Sequence, residues 1–301
     1  MKGAVVTLGT FDGVHRGHQA VIAEVLRRGG RDGLASVLVT FEPHPLAVVN
    51  PPATPKLLTT PEEKQSLVAA QGIERCVLMP FTPAVAQLDA AAFVHRLRDA
   101  YGMRELVMGY DHGFGRGRAG DVDVVRELGR AEGFEVAVVD AVRDHGQPIS
   151  STLIRTAVAH GDLDAAARWL GRRYSVQGEV VRGAGRGRTI GIPTINLAPP
   201  PPEKLLPPDG VYAVSVIVGK REMGNAMRYG GMMNQGPRPT FGEHARALEV
   251  HLFDFSGELY GATVEIEWIR RLRDVQAFAS RDALVAQLER DRQAARATLN
   301  R

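Results

Sequence analysis

The hydrophobic rhythm of this chain changes once, near Tyr174, and that change limits what its 301 residues can fold into. Before it, short β-branched runs alternate with stretches whose apolar residues recur every three or four positions. After it, strand-like runs follow one another with Gly-rich turns between them. Helices inserted between strands return the chain to the same end of a sheet, which makes the strands parallel; strands in succession pair antiparallel. The sequence therefore predicts an α/β fold, a doubly wound parallel sheet, followed by a small all-β antiparallel barrel with a C-terminal helix. A chain of this length is long for one core. Gly171-Arg172-Arg173 reads as the linker, giving expected domains 1–171 and 172–301.

In the first half, Ala4 to Leu8, Leu34 to Phe41, Arg75 to Phe81, Glu105 to Gly109 and Phe134 to Asp140 read as strands. Arg16 to Arg28, Pro61 to Gln71, Asp89 to Ala100, Val122 to Gly133 and Gly161 to Leu170 read as helices, and Pro51 to Leu58 as loop. In the second half, Tyr174 to Arg182, Val211 to Val218, Ala247 to Phe255 and Ala262 to Ile269 are the expected strands. Arg281 to Leu299 is the closing helix, with an Arg-rich face that suits solvent.

The most telling junction is the first one. Gly9-Thr-Phe11-Asp12-Gly13-Val-His15-Arg-Gly17-His18 links an apolar strand to an amphipathic helix. Open α/β sheets bind ligands at the carboxyl ends of strands, and the unpaired N–H groups of the next helix suit a phosphate. His15 and His18, three apart, fall on one face of the first turn, where each could donate to a phosphate oxygen. Gly13 and Gly17 would let backbone approach a ligand and permit positive φ. The same residues allow two other readings: a helix-capping histidine beside a core one, or half a metal site.

Further along, His44 sits between prolines at another strand end. Gly115 to Gly120 satisfies G-x-G-x-x-G, but it lies six residues past its strand and does not follow the first strand, which weakens a dinucleotide reading. Ser150-Ser151-Thr152 precedes Arg155, a set of hydroxyls and a guanidinium that suits either a capped helix or a phosphate. The Gly/Arg loop from Gly183 to Gly191 offers an anion nest and leads into Pro193-Thr194-Ile195-Asn196; no G-x-x-x-x-G-K-[ST] occurs.

Composition narrows the classes. With 44% hydrophobic and 24% charged residues, nothing argues for disorder. The net charge is +3, spread along the chain, so no nucleic-acid partner is expected. Cys76, the single cysteine, excludes an internal disulfide and reads as a buried structural thiol. No secretory signal or membrane-length apolar stretch is read, so a cytoplasmic protein without a membrane partner is expected.

Thr10-Phe11-Asp12-Gly13-Val14-His15-Arg16-Gly17-His18 resembles nucleotidyltransferases with a His-x-Gly-His signature, and more narrowly the bacterial bifunctional riboflavin kinase/FMN adenylyltransferases. Three further stretches agree: Asp111 in its Gly-rich segment, Ser150-Ser151-Thr152-x-Ile154-Arg155, and a Gly/Arg loop with Pro-Thr-x-Asn followed by Glu249-Val-His-Leu. The resemblance implies a nucleotidyltransferase-like, Rossmann-type first domain and a six-stranded barrel. It also implies two reactions: riboflavin to FMN in the barrel, then FMN to FAD with release of pyrophosphate in the first domain. Implied catalytic residues are His15, His18, Arg155 and Glu249. Nucleotide contacts fall to Gly9, Phe11, Asp12, Gly17, Asp111, Ser151, Thr152, Gly185, Arg188, Gly191, Thr194 and Asn196, with Mg²⁺, brought by ATP, at Thr194 and Asn196. The partners so implied are small molecules acting on a monomer or weak homo-oligomer. His112-Gly113 stands where the family has Phe-Arg, and Ile195 where it has Ala. A monofunctional adenylyltransferase acting on another phosphorylated acceptor, with the barrel as a flavin-sensing or regulatory module, is the rival reading.

Overall fold

The computed structural model describes residues 3–183, 191–219, 226–237 and 246–300. The chain separates into two units, Met1–Ile154 with Trp169–Gly171, and Arg155–Arg168 with Arg172–Arg301.

In the first unit, β1 (Ala4–Leu8), β2 (Ala35–Glu42), β3 (Arg75–Pro80), β4 (Met103–Gly109) and β5 (Glu135–Val139) form one parallel sheet in the order β3-β2-β1-β4-β5. β1 is an unbroken apolar run because both its faces are covered. Ala4, Val6 and Leu8 enter the cluster that holds Phe93 and Leu97 of α5 (Ala90–Tyr101), while Val5 enters the cluster of Ile22 and Val25 on α1 (Arg16–Asp32). The chain steps outward from β1 through β2 to β3, then returns to lay β4 on β1's other side. The carboxyl end of β1 is therefore the switch point of the sheet, where its loops diverge and leave a crevice.

Local rules explain most of the other elements. Thr60 caps α3 (Pro61–Ala69) by a reciprocal bond with Glu63, and α6 (Val122–Glu132) is capped by Asp121. Three short pieces lay within expected loops: α2 (Pro45–Val49), α4 (Pro83–Ala86) and the hairpin of β6 (Arg143–Asp144) with β7 (Gln147–Pro148). Two more helices follow, α7 (Ser151–Ala159) and α8 (Leu163–Leu170).

The second unit is a closed barrel of β8 (Ser175–Val181), β9 (Ile195–Leu197), β10 (Gly210–Val218), β11 (Met227–Pro237), β12 (Arg246–Leu252) and β13 (Thr263–Arg273), in the order β10-β11-β12-β9-β8-β13. α9 (Arg281–Leu299) places Ala295, Leu288 and Leu299 against Ala213, Met232 and Phe253. Covered outside by that helix, β10 is buried nearly end to end. One polar residue of α9 departs from the expected solvated face: Asp291 is buried, where Arg273 reaches it at 2.7 Å.

Two strands, β9 and β11, were not among the four read from the sequence. β11 carries Gly230 and Gly231 at its centre, a poor strand signal. The fold needs them: a Cβ at Gly231 would lie 2.7 Å from the His251 carbonyl, and one at Gly230 2.8 Å from Leu299.

Candidate active sites

At the switch point, the turn from β1 to α1 brings the two histidines face to face. The rings of His15 and His18 stack with centroids 3.6 Å apart and planes 19° apart, and Phe11 leans on His18 at 5.0 Å. His15 is 6% exposed and caps α1, its Nδ1 accepting the His18 N–H at 3.3 Å. A nitrogen that accepts carries no proton, so Nε2 is the ring nitrogen left to donate. Two of the alternatives left open by the sequence thus meet in one residue, since the capping ring also belongs to the pair. Gly17 serves that ring: a Cβ there would come within 3.1 Å of it. Its φ is not positive, so its use lies in the ring contact.

The turn is strained. Phe11, Gly13 and Val14 have φ of 45°, 82° and 40°, and for a β-branched valine this is a genuine outlier. Such strain, on the order of 1–3 kcal/mol per residue, persists only where surroundings over-determine it. Here the surroundings are polar side chains bonded to the turn's own backbone. Ser151 Oγ donates to the Asp12 carbonyl at 2.8 Å, Gln19 Nε2 to the Val14 carbonyl at 2.9 Å, and Gly13 N–H to Thr59 Oγ1 at 3.1 Å.

Three expectations change with this geometry. The Asp12 side chain, 1% exposed, faces inward and accepts from Leu58 N–H, Thr59 N–H and Thr59 Oγ1, so it clamps the turn where a nucleotide contact was expected. Gly13 adjoins Leu58, 2.8 Å from a Cβ placed on it, in place of an approaching ligand. The Ser151 hydroxyl holds the turn, while Ser150 Oγ accepts the Leu153 N–H at the start of α7. We expect Asp12→Ala to leave buried N–H groups unpaired and lower stability by about 3 kcal/mol, read as a fall in the urea midpoint of unfolding.

Gly9 lies beside His112: a Cβ on it would be 3.4 Å from that ring and 3.2 Å from Phe11. The stretch after β4 thus meets the stretch after β1. Asp111 is exposed and lines a depression of about 350 Å³ with Tyr110, Asp121 and Asp123. The G-x-G-x-x-G run has a packing role, since Cβ atoms at Gly115 and Gly120 would meet Ala90 at 3.0 and 2.9 Å. His44 caps α2 by accepting the Leu46 N–H. Thr152 is exposed on the first turn of α7, and Arg155, half-buried, follows one turn on.

On the barrel, Glu249 of β12 lies directly across from Asn196 of β9 on one side and Asn234 of β11 on the other. Leu248 and Val250 face the core, so this polar row is on the outer face. Asn196 is nevertheless only 5% exposed, because the chain at Gly183 crosses it; a Cβ there would be 2.1 Å from Asn196 Nδ2. His251, two residues from Glu249, hydrogen-bonds the Pro193 carbonyl through Nδ1 at 2.8 Å and so fixes the approach to Thr194. Sequence reasoning gave neither Asn234 nor His251 a role, although the two-residue alternation already places His251 on Glu249's face. Gly191, with φ 76°, is exposed, and Thr194, immediately before β9, is half-buried. Gly185 and Arg188 lie outside the described residues.

The comparisons agree with this division. Residues 1–153 match the FAD synthetase family and residues 170–299 the riboflavin kinase family. The chain is 37% identical to the bifunctional riboflavin kinase/FMN adenylyltransferase of Pseudomonas fluorescens, covering 98% of this chain and 93% of that one. It is 38% identical to the enzyme of the same name from Listeria monocytogenes, with 97% and 91% covered. Among solved structures, that of a macrolide-efflux protein from Streptococcus pneumoniae shares the fold with a TM-score of 0.85 at 34% identity, over 98% of this chain and 94% of that one. Among the described residues no helix is long and apolar enough to cross a membrane. With both halves matched and nearly the whole length aligned, the chain belongs to the bifunctional riboflavin kinase/FMN adenylyltransferase family.

Proposed function

We propose that the barrel transfers the γ-phosphoryl group of ATP to riboflavin and that the parallel-sheet unit joins the AMP part of ATP to the resulting FMN, with the domain boundary at 171/172. The observation that carries the reading is the separation of two chemically distinct sites. An imidazole pair at a helix start belongs to one unit, and a carboxylate between two carboxamides belongs to the other.

In adenylyl transfer, an FMN phosphate oxygen attacks the α-phosphorus of ATP and pyrophosphate leaves. His15 and His18 donate to phosphate oxygens as charge moves toward the leaving group, and Thr152 adds a donor; Arg155 is assigned to this reaction on sequence grounds. Gly9, Phe11 and Asp111 line the nucleotide pocket, while Asp12, Gly17 and Ser151 hold the turn in shape. None of this needs a covalent intermediate; positioned donors supply the stabilisation.

In the kinase reaction, Glu249 takes the proton of the ribityl hydroxyl whose oxygen attacks the γ-phosphorus, and ADP leaves. The neutral oxygens of Thr194 and Asn196, beside a carboxylate, form a hard-oxygen set that suits Mg²⁺, which is held by few protein ligands and by substrate phosphates. Held there, the ion would neutralise charge on those phosphates. Gly185, Arg188 and Gly191 are assigned to the phosphate-covering loop on sequence grounds. Both reactions draw on ATP, which supports the cytoplasm as the place of action.

The test is product analysis after incubation with riboflavin, ATP and Mg²⁺. FMN followed by FAD, with ADP and pyrophosphate, is expected. A protein that makes FAD from supplied FMN but no FMN or ADP from riboflavin has a sensing barrel, and the kinase assignment is then wrong.

A further inference from the structure

Lys64 breaks three local rules at once. It sits in the first turn of α3, where the helix dipole disfavours a cation; it is 6% exposed; and among the described residues it forms no salt bridge. Such violations of local rules concentrate at functional sites. Its ammonium donates to Thr40 Oγ1 at 3.2 Å, and the fully buried Thr40 hydroxyl lies 2.9 Å from the Thr10 carbonyl. Thr10 begins the strained turn that ends in the histidine pair.

The direction of this short chain follows from the donor inventory. An ammonium donates and never accepts, so it occupies a lone pair of Thr40 and leaves the hydroxyl proton for Thr10. A neutral amine could accept, and the hydroxyl would then have two directions to turn.

We propose that Lys64 is a positioning residue for adenylyl transfer: its ammonium, through the Thr40 hydroxyl, fixes the Thr10 carbonyl and with it the turn that carries His15 and His18. The inference rests on the assignment of that turn to the nucleotide. Three groups face Lys64 from the elements packed around it: Asp12 from the turn, Glu42 from the end of β2 and Cys76 from β3. Burial draws the ammonium below the ordinary lysine range, and these three oppose the shift without cancelling it. The folded protein thus holds this proton less tightly than the unfolded chain, so the charge costs stability at neutral pH.

The experiment uses the full chain with FMN, ATP and Mg²⁺. Lys64→Met and Thr40→Val should each lower kcat for FAD formation roughly 10- to 100-fold with little change in KM, as a small displacement of reacting groups does. Their combination should lose no more than either alone, because both break one linkage. FMN formation from riboflavin should persist, and the melting temperature of Lys64→Met should equal or exceed that of the parent. A merely structural lysine gives the reverse, a lower melting temperature with kcat unchanged, and that result overturns the proposal. In the parent, kcat should fall on the alkaline side as Lys64 loses its proton. This fall should survive Cys76→Ala and vanish in Lys64→Met; a fall that persists in Lys64→Met, or is absent from the parent, also overturns it. The parent profile and Cys76→Ala decide the matter even if the other variants fail to fold. His18→Ala separates the two levels. If it keeps FAD formation, the site assignment itself is wrong; if it loses FAD formation while Lys64→Met does not, only the present inference fails.

Discussion

His18→Ala should reduce FAD formation from FMN and ATP by about 10²–10³ in kcat while FMN formation from riboflavin continues at the parental rate, the loss expected when one positioned donor to developing charge is removed. His18 is the better target of the pair for a structural reason. The cap on α1 uses the backbone N–H of residue 18 and the ring of residue 15, so alanine at 18 keeps the cap. Removing the His15 ring would also cost about 0.5–2 kcal/mol of helix stability, which mixes folding with chemistry. Separate assays on the same preparation, one from riboflavin and one from FMN, read the outcome. Equal loss in both assays from a folded protein would mean that the two reactions do not divide between the units.

The opposite pattern is expected of Glu249→Gln. The substitution keeps the size of the side chain and its place between Asn196 and Asn234, and removes the group that would accept the ribityl proton. General-base removal costs about 10²–10⁴ in rate. FMN formation should fall by that factor, and FAD formation from supplied FMN should be unaffected. An unchanged kinase rate would assign the base elsewhere.

How much of this was legible beforehand differs between fold and site. β1 and the closing helix α9 have the very bounds their patterns predict, because an unbroken β-branched run and a 3.6-residue period leave little choice. β11 was hidden by its glycines and β9 by its length of three residues. Both are strands because neighbours in the closed barrel demand a partner, which no local window records. In the first unit, residue order also located the turn between β1 and α1 and the shared face of its two histidines. It did not reveal which way Asp12 and Ser151 face: Asp12 meets Leu58 and Thr59, and Ser151 meets the Asp12 carbonyl, partners distant in sequence. Lys64 was invisible for the same reason. A lysine on a helix normally reads as solvated, and only the packing of α3 against β3, with Thr40 of β2 within reach, buries it.

The cap that His15 forms on α1 bears on how such enzymes diverge. Because its imidazole closes the first turn of α1, selection for a stable helix would keep it even in a descendant that no longer adenylylated anything. The His18 side chain takes no part in that cap, which uses only its backbone N–H, so drift should erase it first. A relative that retains position 15 but has lost position 18 should therefore be a folded protein with a working kinase and a silent first unit.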